Sequence, residues 1–373
     1  MQAFNPVKRG AGLELLDAED VAEAMREVLL QRSGRLKKPM GAPARILSDL
    51  GVDLTDMAAY LLAANGINDF DPNQKRSAIT LALTTGHFGE LMASHGTVLA
   101  TAQVDESARD VRKLTVPVEL RDFKPAPYPM LATSNIPELR ENNQSRHFIN
   151  VSSAGETIQV KSSPNKLLFG RHLIENDDRG VFDAAFLGIG AQVGRRLGRD
   201  YAAILETNAN MHDGRALFNS TDGNDLTSGE VTASGVDAMM HALRSRETPD
   251  GEKVNARPKY LLIPSGKEAT SRILASSELA MGEDDDRLQV VVSPWLSGSH
   301  YYLVADPVQA PSVVLATLEG SNGEVVSMLN SSRPRRQTVE GGRRMEFDGM
   351  AIDVNVSYGL AAVERNIVRN TVA

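Results

Sequence analysis

One long periodic stretch, residues 177–208, constrains the fold more than any other part of this 373-residue chain. Its apolar residues recur at steps of three and four, the spacing that places them on one face of an α-helix. At about 1.5 Å per residue, such a helix spans on the order of 45 Å. Gly188, Gly190, Gly194 and Gly198 lie within it, and their missing side chains predict a narrow face against which another backbone segment packs. The sequence therefore predicts a spine helix.

Composition excludes several functional classes. The 40 Lys and Arg against 48 Asp and Glu give a net charge of −8, which argues against a generally basic nucleic-acid binder. The absence of Cys excludes disulfides and thiolate metal sites and suits a protein made in a reducing cytoplasm. No stretch approaches the roughly 20 apolar residues of a membrane span, and the N-terminus lacks the apolar core of a secretory signal. We expect no membrane partner.

The remaining patterns predict both helices and strands. Shorter helices are expected at 17–32, 55–64 and 84–99, with a basic linker rich in Gly and Pro at 34–43. Five prolines between residues 116 and 137 prevent a regular helix and predict an extended segment.

A projecting β-hairpin is predicted next. Residues 146–151 and 157–161 have strand composition, and the polar sequence around them leaves little to bury. We expect these two strands to pair, with Ala154, Gly155 and Glu156 at the tip.

The second half of the chain alternates helix and strand patterns and then returns to strands. Helices are expected at 235–246 and 267–277, and strands at 260–264, 289–292, 301–305, 313–318, 324–329 and 351–358. The sequence predicts an α+β protein in which the alternating elements from residue 235 to residue 305 form one compact domain.

No motif predicts a catalytic, cofactor or metal site. The glycines at 188, 190 and 194 follow no strand, and residues 265–268 lack the full phosphate-loop pattern. No nucleophile elbow is present, and the seven His are scattered along the chain. The acidic run at 283–286 has no calcium-loop spacing, which favours a solvated loop.

A basic cluster surrounds Gly341 and Gly342 between two predicted strands. Its members are Arg333, Arg335, Arg336, Arg343 and Arg344. Guanidinium groups bind phosphates and carboxylates in bidentate fashion, so this cluster is a candidate contact with a neighbouring subunit. A solvated hairpin tip is the alternative interpretation.

An ordered set of short motifs carries a family resemblance. The motifs are Leu83-Thr84-Thr85-Gly86-His87-Phe88, Asn176-Asp177-Asp178, Glu206-Thr207-Asn208, Met211-His212-Asp213-Gly214-Arg215-Ala216-Leu217-Phe218, Gly223-Asn224, Pro258-Lys259-Tyr260-Leu261-Leu262-Ile263-Pro264, Tyr302-Leu303-Val304-Ala305-Asp306-Pro307 and Phe347-Asp348-Gly349-Met350. Together they cover about residues 80–365. In this order they resemble the major capsid proteins of tailed bacteriophages with the HK97 fold, in the Mu-like branch often fused to a Clp-type prohead protease.

The resemblance implies a domain organisation. It comprises an N-terminal arm or helical extension at 1–82, an arm strap and the start of the peripheral (P) domain at 83–135, an extended loop (E-loop) at 136–170, the P domain with the spine helix at 171–228, the axial (A) domain at 229–309, and further P-domain strands at 310–373. We expect the N-terminal segment to be retained in the mature protein. The sequence contains no protease domain, so the resemblance carries over no proteolytic activity, and no motif predicts covalent crosslinking.

The resemblance also implies partners and location. Copies of the chain are expected to form hexamers and pentamers of an icosahedral shell that encloses double-stranded DNA without binding it specifically. Scaffold, portal and decoration proteins and a prohead protease are further candidate partners. The protein is expected in the virion capsid after assembly in the host bacterial cytoplasm. Two alternatives remain: an encapsulin-like compartment, and a soluble α/β enzyme with its site at the Gly- and Asn-rich loop 210–224.

Overall fold

The fold is described by a computed structural model. It describes residues 18–36, 38–50, 52, 54–66, 81–82, 87–128, 130–131, 151–152, 155–170, 173, 179–227, 229–247, 251, 253–277, 288–331, 337–338, 344–345 and 349–371.

Helices and strands both contribute, as the α+β prediction requires. The helices are α1 (Ala18–Arg32), α2 (Ala42–Asp49), α3 (Leu54–Ala64), α4 (His87–Ser107), α5 (Arg109–Leu114), α6 (Arg179–Thr207), α7 (Ala233–Ser245) and α8 (Glu268–Ser277), with a 3₁₀ turn at Ser265–Lys267. The strands are β1 (Thr115–Leu120), β2 (Ala126–Pro127), β3 (Met130–Leu131), β4 (Val151–Ser152), β5 (Thr157–Ile158), β6 (Lys161–Gly170), β7 (Asp225–Leu226), β8 (Pro258–Pro264), β9 (Gln289–Ser293), β10 (His300–Ala305), β11 (Val313–Leu318), β12 (Val326–Asn330), β13 (Gln337–Thr338), β14 (Arg344–Met345), β15 (Gly349–Ala362) and β16 (Ile367–Thr371).

The spine prediction is confirmed, because α6 runs unbroken for 29 residues. The helices predicted at 17–32 and 55–64 are also present, whereas α4 extends eight residues beyond its predicted end at Leu99. Two short helices were not predicted: α2, whose first residues lie in the expected linker, and α5, which directly precedes β1.

Contacts divide the chain into two compact units. Unit 1 comprises Met1–Glu106, Ser162–Val193 and Glu324–Val356, and unit 2 comprises Ser107–Lys161, Gly194–Gly323 and Ser357–Ala373. Within the described residues, no helix is long and apolar enough to cross a membrane.

Unit 2 contains a five-stranded sheet in the order β7-β16-β10-β8-β9, with helices on both faces. Side chains of β8 and β10 alternate between these faces, as the pleat of a strand requires. Leu261, Ile263 and Leu303 pack against α7, whereas Leu262 and Tyr302 pack against the second half of α6. The alternation buries both faces and explains why these strands are almost continuously apolar.

A second set of strands in unit 2 begins with β1, which lies within the stretch predicted to be an extended strap. It pairs in parallel with β11, and β11 pairs antiparallel with the last residues of β15. Val116 and Val118 of β1 pack beside buried Val314 and Ala316 of β11. The strap therefore begins as a half-buried strand beside β11.

Unit 1 contains α1–α4, the first half of α6, and the pairing of β12 with residues 352–356 of β15. Met25 and Val28 of α1 are fully buried, as are Leu47 of α2 and Met57 of α3. Between α4 and α6, the buried His95 Nε2 lies 2.9 Å from Asp183 Oδ1.

Three of the four glycines predicted to pack closely in α6 do so, and Gly188 does not. A Cβ atom at Gly190 would lie 2.4 Å from the carbonyl oxygen of Ala100 in α4. In unit 2, a Cβ at Gly194 would lie 2.4 Å from the Cβ of Ser107, and one at Gly198 would meet the Trp295 ring at the same distance. At Gly188, by contrast, nothing lies within 4 Å.

This difference gives a matched pair of substitutions in one helix. Gly190→Ala is expected to lower the free energy of unfolding by about 1–3 kcal/mol, because the added methyl group collides with a backbone atom. Gly188→Ala is expected to raise it by about 0.5–1 kcal/mol, because alanine favours helix and the space is open. Urea unfolding followed by circular dichroism measures both. Two shifts of the same sign would contradict the packing described.

Candidate assembly surfaces

The predicted hairpin pairs differently in the structure. Strand β5 pairs with β2 through Ala126↔Ile158, and β4 pairs with β3 through Leu131↔Val151. The proline-rich strap is thus the partner of residues 151–152 and 157–158. The predicted pairing of residues 146–151 with residues 157–161 is therefore wrong at Val151, Thr157 and Ile158, and residues 146–150 lie outside the described residues. Ile158 and Val160 are 2% and 1% exposed, so burial on unit 2 determines where this segment lies. The connection, 132–150, lies outside the described residues.

Two of the three residues predicted at the hairpin tip, Gly155 and Glu156, have other surroundings. Gly155 is buried, and the Glu156 side chain accepts a hydrogen bond from the backbone N–H of His212. The Glu156 carbonyl oxygen accepts a second one from the N–H of Tyr128 at 2.7 Å. These contacts place Gly155 and Glu156 beside the body of unit 2, at the base of the hairpin. Ala154 lies outside the described residues.

Arg365 organises the loop against which Glu156 packs. Its guanidinium group binds both carboxylate oxygens of Asp213 at 2.8 Å and donates to the carbonyl oxygens of Arg215 and Ala216 at 2.9 and 3.1 Å. A bidentate arginine–carboxylate pair fixes orientation as well as charge. The hydrogen bonds from Arg365 hold the pKa of Asp213 well below its usual range. Burial opposes the charge on Arg365, but its hydrogen bonds and proximity to Asp213 raise its pKa overall.

Asparagine side chains close the same loop. Asn208, at a φ of 47°, accepts from the N–H of Phe218 at 2.7 Å and donates to its carbonyl oxygen at 3.1 Å. The buried Asn224 donates to the carbonyl oxygens of Leu217 and Ile367 at 2.8 and 3.2 Å. Within the loop 210–224, where an enzymatic site was the alternative, Asn224 therefore holds the loop against β16, and Asn208 holds Phe218 from outside it.

A cavity of about 740 Å³ lies between this loop, α7 and the residues before β16. Charged groups of both signs line it, including Glu156, Glu247, Glu364 and Arg246. Burial lowers the pKa of Arg246, whose Nη1 donates to Asn366 Oδ1. Among the residues that the structure describes, no three His, Asp or Glu side chains are grouped so that they hold a metal ion.

The arginine cluster is only partly described. Strands β13 and β14 pair as a short hairpin through Thr338↔Arg344, which places the backbone of Arg344 in a strand. Arg333, Arg335, Arg336 and Arg343 lie outside the described residues. Their predicted role at a subunit contact stays a prediction.

Sequence reasoning missed the role of Arg365. Asp213 and Arg215 belong to a motif that carried the family resemblance, but nothing near Arg365 in the sequence indicates a partner 152 residues away. Arg365 is 8% exposed in the structure, and buried charges require partners, but the sequence does not reveal this burial.

Comparison with known proteins defines the class. The family model described as phage capsid protein matches residues 158–370, more than half of the chain. The chain therefore belongs to the phage capsid protein family. It is a structural protein of a capsid shell, which confirms the predicted resemblance to tailed-phage major capsid proteins with the HK97 fold.

Several solved structures are similar at low identity. A chain from Mycobacterium phage Bobi is 14% identical, with 71% of this chain and 90% of that chain covered and a TM-score of 0.43. A virus-like particle from Pyrococcus furiosus is 11% identical, with 73% and 97% covered and a TM-score of 0.40. The holo-SrpI encapsulin complex from Synechococcus elongatus PCC 7942 is 12% identical, with 70% and 85% covered and a TM-score of 0.43. No curated protein sequence matches the chain.

Proposed function

We propose that this chain is the major capsid protein that forms hexamers and pentamers and closes an icosahedral shell around double-stranded phage DNA. The observation that carries the proposal is the match of the phage capsid family over residues 158–370. Assembly takes place in the host bacterial cytoplasm, and scaffold, portal, decoration and prohead-protease proteins are the partners proposed for it.

The hairpin supports a role in subunit contacts. Its described pairs, β2–β5 and β3–β4, are two residues long on each strand. Such short antiparallel pairs are marginal alone in water and are stabilised by packing against further protein. We therefore place the E-loop between residues 121 and 161, wider at its start than the 136–170 expected from sequence, and propose that 132–150 contact a neighbouring subunit. Glu156 and Gly155 anchor the base of this loop.

The rest of the organisation follows the expected domains. Residues 229–309, with α7, α8 and β8–β10, form the proposed axial domain. The spine helix and the strands at 310–373 belong to the proposed peripheral domain, and residues 1–82 form the arm, retained in the shell.

Electron microscopy of the purified chain tests the proposal. Size-exclusion chromatography with light scattering, followed by negative staining, is expected to show closed shells or five- and six-membered rings. Shells that contain DNA when isolated from infected cells support a virion capsid, whereas shells that contain one protein cargo indicate an encapsulin-like compartment. A monodisperse monomer across salt and pH conditions, even with co-expressed scaffold, contradicts the proposal.

A charge reversal tests the arginine cluster. Arg335→Glu together with Arg336→Glu is expected to reduce shell yield at least about tenfold, because attraction at a repeated contact becomes repulsion. The circular dichroism spectrum is expected to remain that of the parent. Lys38→Glu with Arg45→Glu, two exposed residues that change the charge equally, serves as the control. Equal shell yield and salt tolerance in the parent and the Arg335/Arg336 variant would rule out this contact.

A further inference from the structure

The second half of α6 carries a group of basic side chains on its exposed side. Arg195 and Arg199 are exposed and Arg196 is half-buried. Lys161 lines the same groove of about 180 Å³ as Arg196. We call Lys161, Arg195, Arg196 and Arg199 the spine basic patch, and all four belong to unit 2.

One carboxylate is shared within this patch. Asp200 Oδ2 lies 3.7 Å from Arg196 Nε, and Asp200 Oδ1 lies 3.8 Å from Arg199 Nε. Asp200 also accepts a hydrogen bond from the Tyr358 hydroxyl at 2.6 Å, and the Arg196 guanidinium lies over the Tyr358 ring at 5.5 Å. The charge of Asp200 is thus divided among several donors, and the patch keeps a net positive charge.

A second basic element packs on the same half of the spine. Helix α5 is six residues long, and its Val111 and Leu114 share a hydrophobic core with Tyr201 and Leu205 of α6. Its basic residues are Arg109, Arg112 and Lys113. One acidic residue, Asp110, lies in α5, 3.7 Å from Lys113. Helix α5 therefore adds three basic residues and one acidic residue next to the second half of α6, in a chain whose net charge is −8.

Intramolecular packing does not explain why Arg195 and Arg199 are arginines, because both side chains are exposed. The 64% exposed Arg199 side chain contacts Asp200 beyond hydrogen-bond distance, and a pair of this kind contributes little to stability. Exposed guanidinium groups on a rigid helix are, however, well suited to phosphate groups, which they bind in bidentate fashion. A local excess of positive charge also attracts a polyanion despite a negative total charge.

We propose that the spine basic patch, extended by α5, contacts the phosphate backbone of double-stranded DNA without reading its sequence. This inference rests on the proposed function, since it assigns the surface by which the shell protein meets the DNA that it encloses. It is compatible with the expectation that the shell encloses DNA without binding it specifically, because the proposed contact is with the phosphate backbone.

Fluorescence anisotropy with a labelled duplex of about 30 base pairs tests the proposal on the full chain. Arg195→Glu with Arg199→Glu is expected to weaken binding at least about tenfold at moderate salt. The plot of log affinity against log salt concentration is expected to become shallower by about 2, one unit for each lost phosphate contact. The neutral pair Arg195→Gln with Arg199→Gln is expected to produce most of the same change in slope, with less disturbance of the helix surface. Arg196 is left unchanged because it contacts Tyr358.

The control is Arg244→Glu with Arg272→Glu, two exposed residues of α7 and α8 in the same unit. The proposal is supported if the spine variants bind the duplex more weakly and with a shallower salt dependence, while the control binds as the parent does. Unchanged binding in the spine variants, equal loss in the control, or no measurable binding by the parent at low salt overturns it. Shell formation is scored separately by electron microscopy. If the protein forms shells but does not bind the duplex through the patch, the DNA contact is wrong and the capsid function stands. If the protein binds the duplex through the patch but forms no shells, the capsid function is wrong and the DNA contact stands.

Discussion

Shells are expected to disappear when residues 132–150 are replaced by a short Gly-Ser linker, while the melting temperature of the unassembled chain stays nearly unchanged. The linker preserves the paired strands β2–β5 and β3–β4, as well as the buried Ile158 and Val160. Folding therefore keeps its core, and only the proposed contact with a neighbour is removed. Light scattering and negative staining measure assembly, and thermal unfolding measures stability.

The boundaries of this deletion matter. Removing residues 146–161, the hairpin expected from sequence, would also delete Ile158 and Val160 from the cluster that contains Val314 and Ala316. Loss of shells would then reflect damage to the core. A matched control replaces residues 278–287, the connection between α8 and β9, with the same linker. Normal shells from the 132–150 replacement would disprove the proposed E-loop contact, and loss of shells from both replacements would show that the effect is not specific to it.

The spine helix was predicted correctly from sequence, whereas the strand pairing of the hairpin was not. The spine helix was predicted within a few residues because its signal, 29 residues of periodic apolar spacing, is local. The hairpin strands are two residues long, so no alternation indicates their register or their partner. Among the described residues of the segments predicted to be extended, the structure has strands at 116–120, 126–127, 130–131 and 157–158. The choice between pairing with each other and pairing with the strap depends on which residues become buried, and that is a tertiary property.

The ion pair that organises the loop around Asp213 was missed for the same reason: it depends on tertiary structure. The motif at 211–218 was recognisable from sequence, but its organising cation, Arg365, lies near the other end of the chain. Ion pairs of such separation leave no periodic signal. By contrast, the exposed pair of Arg272 with Glu268 is evident from sequence, because the two residues are four apart on one helix. The pair of Arg365 with Asp213 is seen only in the structure.

Arg365→Met is expected to lower the free energy of unfolding at pH 7 by about 2–4 kcal/mol. Removing Arg365 takes away the bidentate partner of Asp213. The loss is reduced because Arg215 still lies 2.8 Å from the Asp213 carboxylate and because the Asp213 side chain is 34% exposed. The carbonyl oxygens of Arg215 and Ala216 each lose one donor as well, but keep the N–H of Met211 and the side-chain amide of Asn219, respectively. Urea unfolding of the full chain, at concentrations too low for assembly, gives the value. Arg272→Met, in the exposed pair with Glu268, is expected to change it by less than about 0.5 kcal/mol.

The pH dependence separates loss of this ion pair from loss of packing. The folded-state pKa of Asp213 lies below its unfolded value of 3.8, so the contribution of its charge is fully present above that value and is lost as pH falls toward the folded-state pKa. In Arg365→Met, the pKa of Asp213 returns toward its ordinary value. The difference in unfolding free energy between parent and variant is therefore expected to be constant from pH 7 to about pH 5 and to shrink below about pH 4. A difference that stays the same down to pH 3 would mean that Arg365 acts through its hydrophobic stem and its carbonyl contacts, and that its charge pair with Asp213 does not stabilise the loop.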